Sequence, residues 1–88
     1  MDTIQNETGD ARMTWLSLES KMFTSASYDA DKQVLYLRFR NNGDVYRYFE
    51  FPVTNYQALL GAESRGRFFL AHIRGHFRYE RMAKLRAA

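Results

Sequence analysis

VLYLRFRNNGDVYRY, residues 34–48, is the stretch of this chain that decides its fold. Apolar and polar side chains alternate over residues 34–40, which is typical of a β-strand that buries one face. Asn42-Gly43 favours a tight turn, because both residues tolerate a positive φ angle. A second strand then runs from residue 44 to about residue 51. The stretch therefore predicts an antiparallel hairpin.

The two faces of the predicted hairpin differ in composition. One face of its first strand is wholly apolar and should face the core: Leu35, Leu37 and Phe39. On the second strand Tyr46 and Tyr48 alternate with Arg47, and an unpaired arginine is costly to bury. We therefore expect the two tyrosines to pack inward and Arg47 to face solvent, although Phe49 and Phe51 favour the opposite orientation.

The residues around the hairpin predict one more strand and several helices. Residues 22–28 are rich in aromatic, β-branched and small side chains, which favours a strand, and Asp29 can close the turn after it. Thr54 and Ser64 are candidate helix N-caps, the first with Gln57 at capping-box spacing. A core stripe follows at a spacing of four residues: Phe69, Ile73 and Phe77. The predicted fold class is α+β, a three-stranded antiparallel β-meander followed by two to three helices packed on one face of the sheet.

An 88-residue chain without cysteine suits one domain with a modest core and cannot form a disulfide framework. We expect a flexible tail at residues 1–13, the domain at 14–78 and a basic helical extension at 79–88. Residues 13–18 form either a short strand or an irregular segment that lays Trp15 on the core. The N-terminus lacks the basic and apolar regions of a signal peptide, and no apolar run approaches the ~20 residues that cross a bilayer. A cytoplasmic protein is expected.

Charge is distributed unevenly along the chain. Residues 1–63 carry six basic and nine acidic side chains, whereas residues 64–88 carry seven basic side chains and only Glu80 as an acid. The C-terminal quarter is therefore strongly cationic. Such a segment either attracts phosphate or solvates a helix face and complements the helix dipole.

Motifs of known catalytic sites are missing from the sequence. There is no cysteine nucleophile, no Gly-x-Ser-x-Gly, no phosphate-binding loop and no convincing carboxylate pair. His72 and His76 are four residues apart, but no glutamate completes a zincin motif, and Arg74 between them repels a cation. We predict no catalytic residue, no metal site and no cofactor.

An ordered set of short motifs resembles a known family. The set runs from the hairpin into the second helix: Tyr46-x-Tyr48, Ala62-x-Ser64-x-Gly66, Phe69 and Ile73-Arg74. Over roughly Ser20 to Phe77 the chain is similar to the KTSC domain, which is named for its place at the C-terminus of some lysyl-tRNA synthetases. The family also occurs as small stand-alone bacterial proteins. The resemblance implies RNA binding through the synthetase context. We interpret four motif residues as mainly structural: Tyr46, Tyr48, Ser64 and Gly66.

Two functions from different classes fit the sequence. The first is an RNA-binding module for tRNA-like or single-stranded RNA, in which arginines contact phosphates and rings stack on bases. The candidate arginines come from both hairpin strands and from the cationic quarter: Arg38, Arg40, Arg47, Arg65, Arg67, Arg74 and Arg78. The second is a protein-interaction module or homo-oligomer that uses an open edge strand or an apolar patch at Phe49 and Phe51.

Overall fold

The structure, a computed structural model, describes residues 13–82. One antiparallel sheet of five strands follows the chain order: β1 (Leu16–Ser17), β2 (Phe23–Asp29), β3 (Val34–Phe39), β4 (Val45–Tyr48) and β5 (Tyr79–Met82). Between β4 and β5 lie three helical segments: α1 (Val53–Gly61), α2 (Arg65–Phe68) and π1, a π-helical turn that continues α2 (Phe69–Ile73). The α+β class is confirmed, but the predicted three-stranded meander is only the centre of a larger sheet.

The hairpin of β3 and β4 has the predicted orientation. Leu35 pairs with Tyr48, and Leu37 pairs with Tyr46, so these four side chains share one face of the sheet. Arg47 lies on the opposite face because side chains alternate along a strand. The inward position of the two tyrosines and the outward position of the arginine are both confirmed.

Both predicted turns are present. Gly43 has a φ of +75°, and Asn42 Oδ1 accepts a hydrogen bond from the Asp44 N–H at 3.0 Å. In the turn after β2, Asp29 Oδ1 accepts a hydrogen bond from the Lys32 N–H at 3.1 Å. These local bonds set the lengths of the turns and therefore the register of β3 with its two neighbours.

The core lies between the sheet and the helical segments. Its fully buried side chains come from the strands, from the loop after β4 and from the helices: Phe23, Leu35, Leu37, Phe51, Leu59 and Ile73. Phe51 reaches this core although Phe49 contacts arginines on the opposite face, because Glu50 has a φ of +52° that interrupts the alternation of the strand. Phe77 packs against the same core from the loop before β5. The left-handed conformation of Glu50 thus allows Phe51 to be buried on the same side of the sheet as Tyr46 and Tyr48.

The helix starts agree with the sequence in one case of two. α1 begins at Val53 directly after Pro52, so Thr54 lies inside the helix and the predicted capping box is wrong. Proline favours this earlier start because its fixed φ of −68° suits the approach to a helix. Ser64 is the N-cap of α2 as predicted, and its Oγ accepts a hydrogen bond from the Arg67 N–H at 3.2 Å.

A strand replaces the helix predicted over residues 79–88. The prediction is wrong for Tyr79–Met82, which pairs with β4 as an edge strand, and residues 83–88 lie outside the described residues. Gly75 has a φ of +81° and turns the chain after π1. The Phe49 N–H then donates to the Arg78 carbonyl oxygen at 2.9 Å, which brings the chain alongside β4.

At the N-terminal end, β1 pairs with β2 and decides between the two alternatives for residues 13–18 in favour of a strand. Trp15 does not lie on the helix-side core, because its ring is 6.5 Å from the ring of Tyr36 on the opposite face. The tail predicted at residues 1–13 lies outside the described residues, apart from Met13. No helix within residues 13–82 is long and apolar enough to span a membrane.

Candidate nucleic-acid interface

An open groove of about 1250 Å³ lies on the helix side of the sheet, between the tyrosines of β4 and β5 and the start of α2. We call it the aromatic groove. Its lining combines rings and aliphatic side chains with basic, acidic and small residues: Phe39, Tyr46, Tyr48, Phe69, Leu70, Tyr79, Lys21, Arg65, Arg67, Arg74, Glu19, Glu63, Ser64 and Gly66. All four motif residues that were interpreted as mainly structural therefore line one cavity.

Three tyrosines form one side of the aromatic groove. The ring of Tyr79 lies 5.8 Å from that of Tyr46 and 5.8 Å from that of Tyr48. Tyr48 is buried against Phe69, whereas Tyr79 is 58% exposed. Burial raises the pKa of the Tyr48 hydroxyl far above its usual value, and the nearby Arg74 acts in the opposite direction. Tyr48 therefore stays neutral at any physiological pH.

Helix α2 forms the opposite wall, and Ser64 holds its first turn. Gly66 faces the side chain of Met22, where an added Cβ would lie 3.6 Å from its Cβ and Cε atoms. That is an ordinary van der Waals distance, and Gly66 has no positive φ. Neither a positive φ nor a close backbone approach therefore explains the glycine at this position.

The basic side chains of the aromatic groove differ in how they are held. Arg65 donates from Nη2 to the Leu60 carbonyl oxygen at 2.7 Å, so it ties α2 to the end of α1. Among residues 13–82, neither Arg67 nor Arg74 has an ion pair or a side-chain hydrogen bond. Lys21 joins them at the rim. The groove thus contains cations that no described neighbour neutralises. Its four basic side chains outnumber its two carboxylates.

On the opposite side of the sheet, the arginines are held against rings. We call this surface the back face: Trp15, Tyr36, Arg38, Arg47, Phe49, Arg78 and Glu80. The Arg38 guanidinium carbon lies 4.9 Å from the centre of the Trp15 ring, and that of Arg78 lies 4.3 Å from the centre of the Phe49 ring. Such cation–π contacts contribute about 0.5–1 kcal/mol each at exposed sites.

Arg47 carries the strongest charge contact of the back face. It pairs across strands with Glu80, to whose Oε1 it donates from Nε and Nη2, and its guanidinium carbon lies 5.4 Å from the Phe49 ring. The hydrogen bond to Glu80 is the main cause that raises the pKa of Arg47. A phosphate that approached Arg47 would compete with a carboxylate already in place.

The seven predicted arginines therefore do not share one surface. Arg38, Arg47 and Arg78 lie on the back face, and the three from the α2 region line the aromatic groove. Arg40 belongs to neither group, since its guanidinium donates to the carbonyl oxygens of Ser20 at 3.0 Å and Phe23 at 3.1 Å.

Several lining residues of the groove were not singled out from the sequence, and three of them bear on its chemistry. Lys21, Leu70 and Tyr79 come from a loop, from π1 and from β5, and no local motif marks them. Leu70 and Tyr79 are nevertheless two of the four large apolar side chains that are strongly exposed among the described residues. Their exposure, which the sequence does not report, is the signal that identifies them.

One other sequence candidate, an apolar patch, loses its site in the fold. The apolar patch predicted at Phe49 and Phe51 is not present, because Phe51 is fully buried. His72 lies 4.7 Å from the Phe68 ring, and residues 13–82 contain no group of three or more His, Asp or Glu side chains able to hold a metal.

The KTSC domain family model matches residues 19–77, which include β2 to β4, α1, α2 and π1. The chain belongs to the KTSC domain family. A 68-residue segment is 34% identical to part of a lysine–tRNA ligase of Nostoc sp., covering 77% of this chain and 12% of that enzyme. The chain therefore spans only a small part of the ligase that it matches.

Small relatives of similar length support the same assignment. A protein of Tsukamurella paurometabola is 41% identical over 61 residues, covering 69% of this chain and 90% of that protein. The crystal structure of a KTSC domain protein from Yersinia pestis superposes with a TM-score of 0.77 at 32% identity, covering 81% of this chain and 99% of that one. The KTSC fold thus also exists as a small protein without a ligase attached.

Proposed function

We propose that this KTSC protein binds RNA through contacts between the arginines of the aromatic groove and backbone phosphates. One observation carries the proposal: Arg67 and Arg74 have no acidic partner among residues 13–82, yet both stand at a groove lined by the family's motif residues. Cations that are already solvated and unpaired lose little when a phosphate replaces water and counterions.

The relationship to a lysine–tRNA ligase adds support from outside the structure. That enzyme acts on tRNA by its name, and the segment shared with it contains most of this chain. RNA is therefore the nucleic acid that we propose as the partner, and a cytoplasmic location follows from the same proposal.

The proposal modifies the surface expected from the sequence. Of the seven arginines, Arg67 and Arg74 are proposed to contact phosphate, with Lys21 beside them. Arg65 and Arg40 are assigned structural roles because carbonyl oxygens of the chain already accept their hydrogen bonds. The back-face arginines are not proposed as contacts, since rings and Glu80 hold them.

The experiment that tests this function compares two double variants in fluorescence anisotropy with a labelled mixed-sequence single-stranded RNA. Arg67→Gln with Arg74→Gln should weaken binding and reduce the slope of log affinity against log salt by about 1.4, since each phosphate contact to a single strand contributes about 0.7. The matched control, Arg38→Gln with Arg78→Gln, removes the same charge from the back face and should leave the slope unchanged.

Two results would contradict the proposal. One is the absence of binding by the unchanged protein at tens of micromolar and low salt. The other is an equal loss of salt dependence in both double variants, which would show a response to net charge rather than to the groove. In the first case light scattering of the same sample would test the protein-interaction alternative, for which the edge strands β1 and β5 remain available among the described strands.

A further inference from the structure

Tyr79 is the most exposed large apolar side chain among the described residues, and it lines the aromatic groove. At 58% exposure it presents far more surface than the buried Tyr48 beneath it. It lies in β5, beyond residue 77, where the family model ends. The Tyr-x-Tyr motif therefore does not include it.

The ring of Tyr79 is held in place from one side. It contacts Tyr46 at an interplanar angle of 37° and Tyr48 at 32°, with both centroid distances at 5.8 Å. Tyr79 also pairs with Tyr48 in the register of β4 and β5, which fixes the backbone that carries the ring. A ring that is already ordered loses little side-chain entropy when a flat ligand stacks on its free surface.

The charges beside this ring favour an anionic ligand. Arg74 lines the same groove and lies close enough to Tyr48 to oppose the rise of its pKa, and Arg74 has no ionic partner among residues 13–82. An aromatic platform next to an unpaired arginine matches the two parts of a nucleotide, a base with a π-face and a phosphate.

We propose that Tyr79 is the stacking platform for an unpaired nucleobase, so that the aromatic groove binds single-stranded RNA and discriminates against duplex. This inference rests on the proposed RNA binding and adds the form of RNA that is bound. Bases inside a duplex are stacked on each other and offer no free face, whereas a flexible strand can place one base on Tyr79 while Arg74 contacts the adjacent phosphate.

The test uses the full chain and three labelled 12-nucleotide probes: a uridine strand, an abasic ribose-phosphate strand of equal charge, and an RNA duplex. The unchanged protein should bind the uridine strand about 5- to 150-fold more tightly than the abasic strand, which corresponds to one stacked base. Tyr79→Ala should remove that difference and leave the affinity for the abasic strand unchanged.

Two control variants separate stacking from general damage to the groove. Tyr79→Phe keeps the ring and should bind the uridine strand within about twofold of the unchanged protein. Leu16→Ala truncates another exposed apolar side chain, 46% exposed on β1 and outside the groove, and should alter neither affinity.

The outcomes distinguish this inference from the function on which it rests. Equal binding of the uridine and abasic strands, equal or tighter binding of the duplex, or a Tyr79→Ala variant that weakens both single strands alike would overturn the role of Tyr79. RNA binding through phosphate would survive each of those results. Within this experiment, the result that would reject the proposed function itself is the failure of all three probes to bind.

Discussion

Three of the predicted arginines lie on each side of the sheet; all three on the back face are held by a ring or a carboxylate, whereas at the aromatic groove only Arg65 is held, by a carbonyl oxygen. On the back face, Arg38 and Arg78 lie over rings, and Arg47 pairs with Glu80. At the aromatic groove, Arg67 and Arg74 have no such partner among residues 13–82. The number of arginines on a surface therefore does not identify it as a binding surface. What locates it is whether the fold supplies a carboxylate, a carbonyl or a ring to each one.

The same comparison separates two kinds of aromatic residue. Rings on the back face are covered by guanidinium groups, which satisfies both partners without a ligand. In the groove, Tyr79 packs against other tyrosines on one side and is open on the other. The groove thus combines the two features that the proposed RNA binding needs, cations without a described partner and an open ring, whereas the back face has already formed the equivalent contacts internally.

The largest expected effect tests which face of the sheet carries the core. Leu37→Ala should lower the free energy of unfolding by about 2–5 kcal/mol, because Leu37 is fully buried under the helices. Arg38→Ala, the next residue of β3, should cost about 1 kcal/mol, since it removes a half-buried cation–π contact with Trp15. Urea denaturation of both variants measures the difference. Similar losses would mean that the back face contributes to the core as much as the helix side does.

A smaller difference in stability is expected between two arginines of the groove, Arg65 with a structural role and Arg67 with a proposed phosphate contact. Arg65→Ala should reduce stability by about 1–2 kcal/mol, because it leaves the Leu60 carbonyl oxygen without its guanidinium partner. Arg67→Ala should change stability by less than about 0.5 kcal/mol, since that side chain has no described partner. Thermal and urea unfolding would check the pair. The assignment fails if Arg67→Ala is the more destabilising variant.

The smallest expected effect concerns the back face, where Arg47 can be deprived of its carboxylate partner. Glu80→Gln removes the half-exposed ion pair with Arg47 and should cost at most about 1 kcal/mol. Its affinity for single-stranded RNA should stay within about twofold of that of the unchanged protein, since charges on the far side of the sheet are screened by salt. Glu63→Gln is the matched change at the groove and should raise the affinity about two- to fivefold at low salt, because it removes a carboxylate from the lining. An increase for Glu80→Gln as large as that for Glu63→Gln would show that RNA also reaches the back face.

Much of the local structure could be predicted because its causes are local. The alternation around Leu35 and Leu37 determined which side of β3 is buried, and it carried Tyr46 and Tyr48 to the same side through the register of the hairpin. Ser64 was identifiable as a cap because its hydrogen bond reaches only three residues along the chain. The order of motifs was sufficient to identify the family.

The errors have equally specific causes. Residues 79–82 have a composition that suits a helix, yet their strand exists because β4 offers an open edge to pair with. The predicted cap at Thr54 failed because Pro52 starts α1 earlier than the capping box suggested. Phe51 was expected on the same face as Phe49 because the left-handed conformation of Glu50 has no clear sequence signal.

The sequence by itself determined the fold class, the hairpin with its inward tyrosines and the KTSC family, since these depend on periodicity, turns and short motifs. Only the tertiary structure decided which arginines are free. Arg47 is neutralised by Glu80, which lies 33 residues away in the chain, whereas Arg74 has no ion pair among residues 13–82. The physical reason is that the availability of a charge depends on what folding brings within a few ångströms of it, and the strand that supplies both Glu80 and Tyr79 is formed by long-range pairing.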